Sequence, residues 1–117
     1  MHPGAVVALD AVCVAVFIAV GQASHAGDGA ATHPLLAVAP FLGALVLAHL
    51  VVRRGRERVW HGGVVVWLVT WGGGMAVRAL VNDGVAPAFL AVGLGALGVL
   101  LLGWRAVAAL VRRSGAR

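Results

Sequence analysis

Two full charges stand well inside apolar stretches of this chain, Asp10 and Arg78, and any chemistry would have to start from them. A carboxylate held in an apolar helix can take up a proton or a cation, and a guanidinium at such a depth can line a route for an anion or a proton. The same residues also have a purely structural reading. Asp10 would pair with an arginine of a neighbouring helix, and Arg78 would reach up to the headgroups along its own aliphatic stem. Asp10 lies about 8 Å along its helix from Ala5, in an outer third of a bilayer, which weakens the case for a transport carboxylate.

The companions of each charge follow from helical spacing. Around Asp10, steps of three and four residues bring Phe17, Gly21, Ser24 and His25 to one face. Around Arg78, the stretch Gly62–Leu80 places Gly63, Trp67, Thr70 and Gly74 on the same stripe, with valines and leucines on the other side. Such a helix turns its polar and small stripe toward other helices. The candidate intramembrane polar or transport site is therefore Asp10, Ser24, His25, Trp67, Thr70 and Arg78, together with Arg105 at the end of the last apolar block.

Other reactive side chains offer less. His25, Asp28 and His33 share one polar loop, but two histidines and one aspartate at this spacing make a weak metal site. No metal and no other cofactor is expected. Cys13 is the one cysteine and reads as a packing thiol. His49 points away from the small-residue face of its helix and reads as an interfacial residue, not a ligand. No Ser–His, Cys–His or paired-carboxylate arrangement has supportable geometry, so an enzyme is not expected.

The elements that must hold these groups are long apolar blocks. Of the 117 residues, 62% are hydrophobic and 11% charged, whereas a soluble domain is nearer half and a quarter. The class is an integral membrane protein, and the fold class an all-α bundle of four transmembrane helices forming one membrane domain over residues 1–117. The spans fall at about 4–23, 34–52, 62–80 and 87–104. A basic connector fills 53–61, and a basic tail at 105–117 reads as a short amphipathic segment on the membrane surface. The first block reads as a retained helix, because Met1-His2-Pro3 carries no Lys or Arg and Asp10 interrupts the apolar run. Pro40 should kink the second span or let neighbours satisfy the freed carbonyl.

Arginine placement sets orientation. All nine cations are arginine. Four lie in the 53–61 connector and four in the tail, while the loops after spans one and three have none. The N-terminus, connector and C-terminus therefore belong on the cytoplasmic side. Anionic headgroups are the expected partner of that face, and nucleic acid is not, since no soluble basic module exists to bind it. This orientation puts Asp10 near the inner face with Arg105, and Arg78 near the outer face with Gln22, Ser24, His25, Asp28 and Asp83. An inner and an outer polar cluster are expected.

Small residues mark the packing faces: Gly21 in span one, Ala37, Ala44 and Ala48 in span two, Gly74 in span three, and Ala91, Gly95 and Gly98 in span four. Two of these faces are broad enough that one could serve a second copy, so a homodimer is an expectation too.

Several of these residues fall in recognisable order: Asp10; Gly21 with Ser24-His25; Pro40-Phe41; VWLVT at 66–70; GGMAVRAL at 73–80; GWRA at 103–106. In that order the chain resembles an uncharacterised prokaryotic four-span family, the domain-of-unknown-function family 3054. The resemblance implies a bacterial or archaeal plasma-membrane protein and implies no activity. Two functional readings stay open. One is a small structural, assembly or regulatory membrane module. The other is a proton-coupled transporter or ion channel, dimeric, using Asp10 and Arg78 with Trp67 and Thr70 facing a cavity.

Overall fold

The computed structural model describes residues 2–24, 34–54, 58–81 and 87–115. They form four α-helices: α1 (Pro3–Ser24), α2 (Pro34–Val51), α3 (Val64–Val81) and α4 (Pro87–Gly115), with no strand among the described residues. Three of the four begin on proline, which suits the first helical position because its missing N–H would have no intrahelical partner there. Helix α3 begins differently. A wide π-helical turn at Val59–Gly63 runs straight into it, closed by the Gly63 amide donating to the Arg58 carbonyl at 2.7 Å.

Three segments are long and apolar enough to cross a membrane: Pro3–Gly21, Val59–Leu80 and Pro87–Gly115. The apolar part of α2, Val38–Val51, is shorter. Helix α2 continues through Pro40 to Val51. The basic tail is helical as far as Gly115. Helix α4 carries on through it without a break for 29 residues, about 44 Å.

Contacts between helices fix an up-down-up-down bundle. Asp10 and Cys13 of α1 meet Arg105 and Leu100 of α4, so the two run antiparallel. Asp10 and Phe17 meet His49 and Phe41 of α2, again in reverse order. Trp67 and Trp71 of α3 donate to the carbonyls of Leu94 and Leu90 of α4, at 2.8 and 3.0 Å. The start of α1, the end of α2 with Arg53 and Arg54, Arg58 and the end of α4 consequently lie at one end of the bundle, called the basic end below.

The middle of the bundle is apolar. Val14, Phe17, Phe41, Leu45, Val66, Met75, Leu97 and Leu101 are buried together. Phe17 stacks edge-on against Phe41 and tilted against Phe89, with ring centres 5.7 and 5.9 Å apart. Glycine makes this packing close. A Cβ on Gly98 would lie 3.1 Å from the Trp67 ring, one on Gly73 would lie 2.9 Å from the Ala44 methyl, and one on Gly74 would overlap the Phe41 ring. Ala44, Ala48, Gly74 and Gly98 are therefore interior, while the side chain of Ala37 lies outside the described residues. Ala91 and Gly95 are both exposed, so their face of α4 lies outside the chain's own bundle. The buried row of α4 follows four-residue steps through Gly93, Leu97, Leu101 and Arg105. Each step drifts about 40° around the helix, which carries the interior away from Ala91 and Gly95.

Candidate functional site

One carboxylate, on α1, collects groups from two other helices. Asp10 is fully buried, and so is Arg105. The two guanidinium ends grip the two carboxylate oxygens, Nη1 donating to Oδ1 at 2.8 Å and Nη2 to Oδ2 at 2.7 Å. This paired geometry is the strong form of an arginine–carboxylate contact. Trp104 Nε1 donates to Oδ1 at 2.8 Å, and His49 Nε2 meets Oδ2 at 2.7 Å. An ionised carboxylate only accepts, so the His49 Nε2 carries the proton in that contact. Four donors then occupy the roughly four acceptor positions a carboxylate has.

The arginine is held as firmly as its partner. Nη1 also donates to the Leu101 carbonyl one turn back, at 2.8 Å, and the guanidinium lies over the Trp104 ring at 4.6 Å. Its aliphatic stem runs over Gly63 at the end of the π-helical turn, where a Cβ would come within 2.8 Å of the Arg105 Cδ. A buried charge needs a paired partner and saturated hydrogen bonds to be tolerated, and both conditions are met here. Since α1, α2, α4 and the entry to α3 all touch the cluster, it ties one end of the bundle.

The other sequence-derived candidates are placed apart from it. Trp67 lies across Gly98 with its N–H on the Leu94 carbonyl. Thr70 is fully buried, and its hydroxyl has no hydrogen-bond partner among the described residues. Arg78 is partly exposed, its guanidinium 4.5 Å above the Phe89 ring. The groups expected around Arg78 cannot be compared with this: His25, Asp28, Asp83 and the side chains of Gln22 and Ser24 lie outside the described residues, as does His33. Gly21 is partly buried with open space where a Cβ would stand. Among the described residues no group of three or more His, Cys, Asp or Glu side chains is placed to hold a metal.

His49 and Trp104 are the members that the sequence reading passes over. His49 is 5% exposed, not interfacial. Helix α2 has neighbours on two sides, α3 against Ala44 and α1 against Phe41, so its buried arc is wide enough to take in His49 beside Ala48. The usable signal is shared depth: the arginine-derived orientation puts His49, like Asp10 and Arg105, toward the same end of the bundle.

The fold and this site define a class: a small helical bundle with apolar helices of membrane-crossing length, tied at one end by a buried ion pair. Within that class the chain belongs to DUF3054, a family described as protein of unknown function, whose model matches residues 7–108. The match takes in Asp10, His49, Trp104 and Arg105. No curated protein and no solved structure matches the chain.

Proposed function

We propose that this chain is a multi-pass protein of a prokaryotic plasma membrane and serves as a structural, assembly or regulatory module without catalysis. It crosses four times, with the N-terminus, the basic connector and the C-terminal end of α4 in the cytoplasm. The 4-to-0 arginine bias of each basic segment over the opposite loops supports that orientation. The observation that carries the functional reading is the saturated carboxylate. Asp10 accepts from Arg105 twice, from Trp104 and from His49. A carboxylate so engaged is a tie between helices, whereas a carrier needs one that exchanges its proton or cation. The interior beyond it is a layer of Val, Phe, Leu and Met side chains. The exposed small face of α4 around Ala91 and Gly95 offers a homodimer its contact surface.

One observation favours the transport reading. Thr70 puts an unpartnered hydroxyl in the apolar layer between the Asp10 cluster and Arg78, where a water or an ion could use it. Proton and small-ion flux in proteoliposomes separates the two readings, with wild type measured beside Asp10→Asn and Arg78→Gln. The module reading expects no flux from any of the three. Flux in wild type that either substitution abolishes would establish transport and overturn it.

A further inference from the structure

The basic end of the bundle is a step, not a flat surface. His49 and Gly63 both touch the Asp10–Arg105 pair, so the end of α2 and the entry to α3 lie level with it. Helix α1 continues seven residues beyond that level to Pro3, about 10 Å, and α4 continues ten residues to Gly115, about 15 Å. Arginines therefore stand in two tiers. Arg53, Arg54 and Arg58 are exposed at the low tier, four or five residues from His49 or Gly63, and Arg112 and Arg113 are exposed on the continuing helix α4, seven and eight residues past Arg105.

The low tier has the parts of a lipid site in the right order. Val46, Leu47, Leu50 and Val51 are exposed on the last turns of α2, each more than half. Arg53 and Arg54 follow at once, and the Arg53 Nε turns back to the Leu50 carbonyl at 3.4 Å. Trp60, 83% exposed, stands on the π-helical turn two residues after Arg58, an indole of the kind that settles at headgroup depth. Among the described residues the one carboxylate is Asp10, already committed to Arg105, although the sequence places Glu57 in the same connector. A guanidinium matches a phosphate in two-point geometry. A phosphate drawn to the low tier would sit deeper than one beside Arg112, and a leaflet meets a short hydrophobic wall by thinning against it.

We propose that this step holds the headgroup phosphate of an anionic phospholipid, with Arg53, Arg54 and Arg58 as its ligands, Trp60 at its side and the acyl chains along the exposed end of α2. The site rests on the membrane reading above.

The test uses the full chain in vesicles of phosphatidylcholine with graded phosphatidylglycerol, brominated in one lipid or the other, and reads quenching of Trp60 against a Trp60→Phe control. Wild type should be half-quenched by brominated phosphatidylglycerol at about a tenfold lower mole fraction than by the brominated choline lipid. Near a membrane surface each arginine is worth up to about fivefold in anionic partitioning, so Arg54→Gln alone should cost about that factor and Arg53→Gln/Arg54→Gln/Arg58→Gln should abolish the tenfold preference. Arg112→Gln/Arg113→Gln should leave most of the preference in place. An equal loss per charge in both variants would mean diffuse attraction and overturn the site. Full competition by millimolar inorganic phosphate, or by a soluble acidic polypeptide, would overturn the lipid as its occupant. Carbonate washing separates this proposal from the one beneath it: release of the chain overturns both, and retention without anionic preference overturns the site alone.

Discussion

Two arginines of this chain sit inside apolar helices and meet opposite fates. Arg105 is sealed from solvent and gripped at both guanidinium ends by a buried carboxylate. Arg78, near the other end of the bundle, is partly exposed and rests on the face of Phe89. The difference is one of depth and alternatives. Arg78 lies one turn from the end of α3, where a long stem can carry its charge out to the surface. Arg105 has ten further helical residues beyond it, so its charge must be neutralised where it stands. Residue type is shared; only the place in the fold makes one arginine a structural tie and leaves the other a replaceable contact.

The largest expected effect tests the tie itself. Asp10→Asn removes the carboxylate charge and leaves the Arg105 guanidinium buried without a counter-charge, and breaking a buried pair in this way costs about 3–5 kcal/mol. Arg105→Met should cost a similar amount by stranding Asp10. The double variant Asp10→Leu/Arg105→Met should recover most of the loss, because paired apolar replacements of buried ion pairs are often neutral. Reversible unfolding in mixed micelles measures all three. A double variant no better than either single one would show that the two charges are not the unit that holds this end.

The supporting groups come next. His49→Leu takes away one donor to an ionised oxygen, a loss of about 1.5–3 kcal/mol by the same unfolding measurement. It should fall toward zero when measured in the Asp10→Leu/Arg105→Met background, since the acceptor is gone. Gly63→Ala places a methyl against the Arg105 stem and the Leu102 side chain, each 2.8 Å away, which should cost about 1–3 kcal/mol. Gly95→Ala, where nothing lies within 4 Å, should be neutral or stabilising by up to about 1 kcal/mol from helix propensity. Equal effects at the two glycines would break the claim that the basic end is tightly packed around Arg105.

These contrasts also show what could be read ahead. The four apolar blocks and the turns between them declare a helical bundle, because hydropathy and proline placement act locally. The pairing of Asp10 with Arg105 was open to the same reasoning, since orientation and depth bring both to one end. His49 is not, because a single small-residue stripe marks only part of the contact face of α2, and a helix with two neighbours buries a broader arc. Ala91 and Gly95 lie outside the chain's own bundle for a related reason: a stripe drawn at fixed angle ignores the drift of a four-residue contact row. The continuity of α4 through its tail was masked by arginines, which mark a change of solvent and not the end of a helix.

The smallest effect is expected at Arg78, and it bears most directly on the comparison. A cation over an aromatic ring at a partly exposed site contributes about 0.5–1 kcal/mol. Arg78→Leu loses that contact and no partner charge among the described residues, so its melting temperature in detergent should stay within a few degrees of wild type. Arg78→Glu should fall further, because a carboxylate has a shorter stem to reach the surface and is repelled by the negative face of Phe89. A large and equal loss in both would mean that Arg78 anchors a polar cluster of its own with the loop groups beyond α1 and α3, and the two arginines would then be alike in kind. Wild-type melting in both would leave the guanidinium without structural weight, and Arg105 would stand alone as the charge the fold cannot lose.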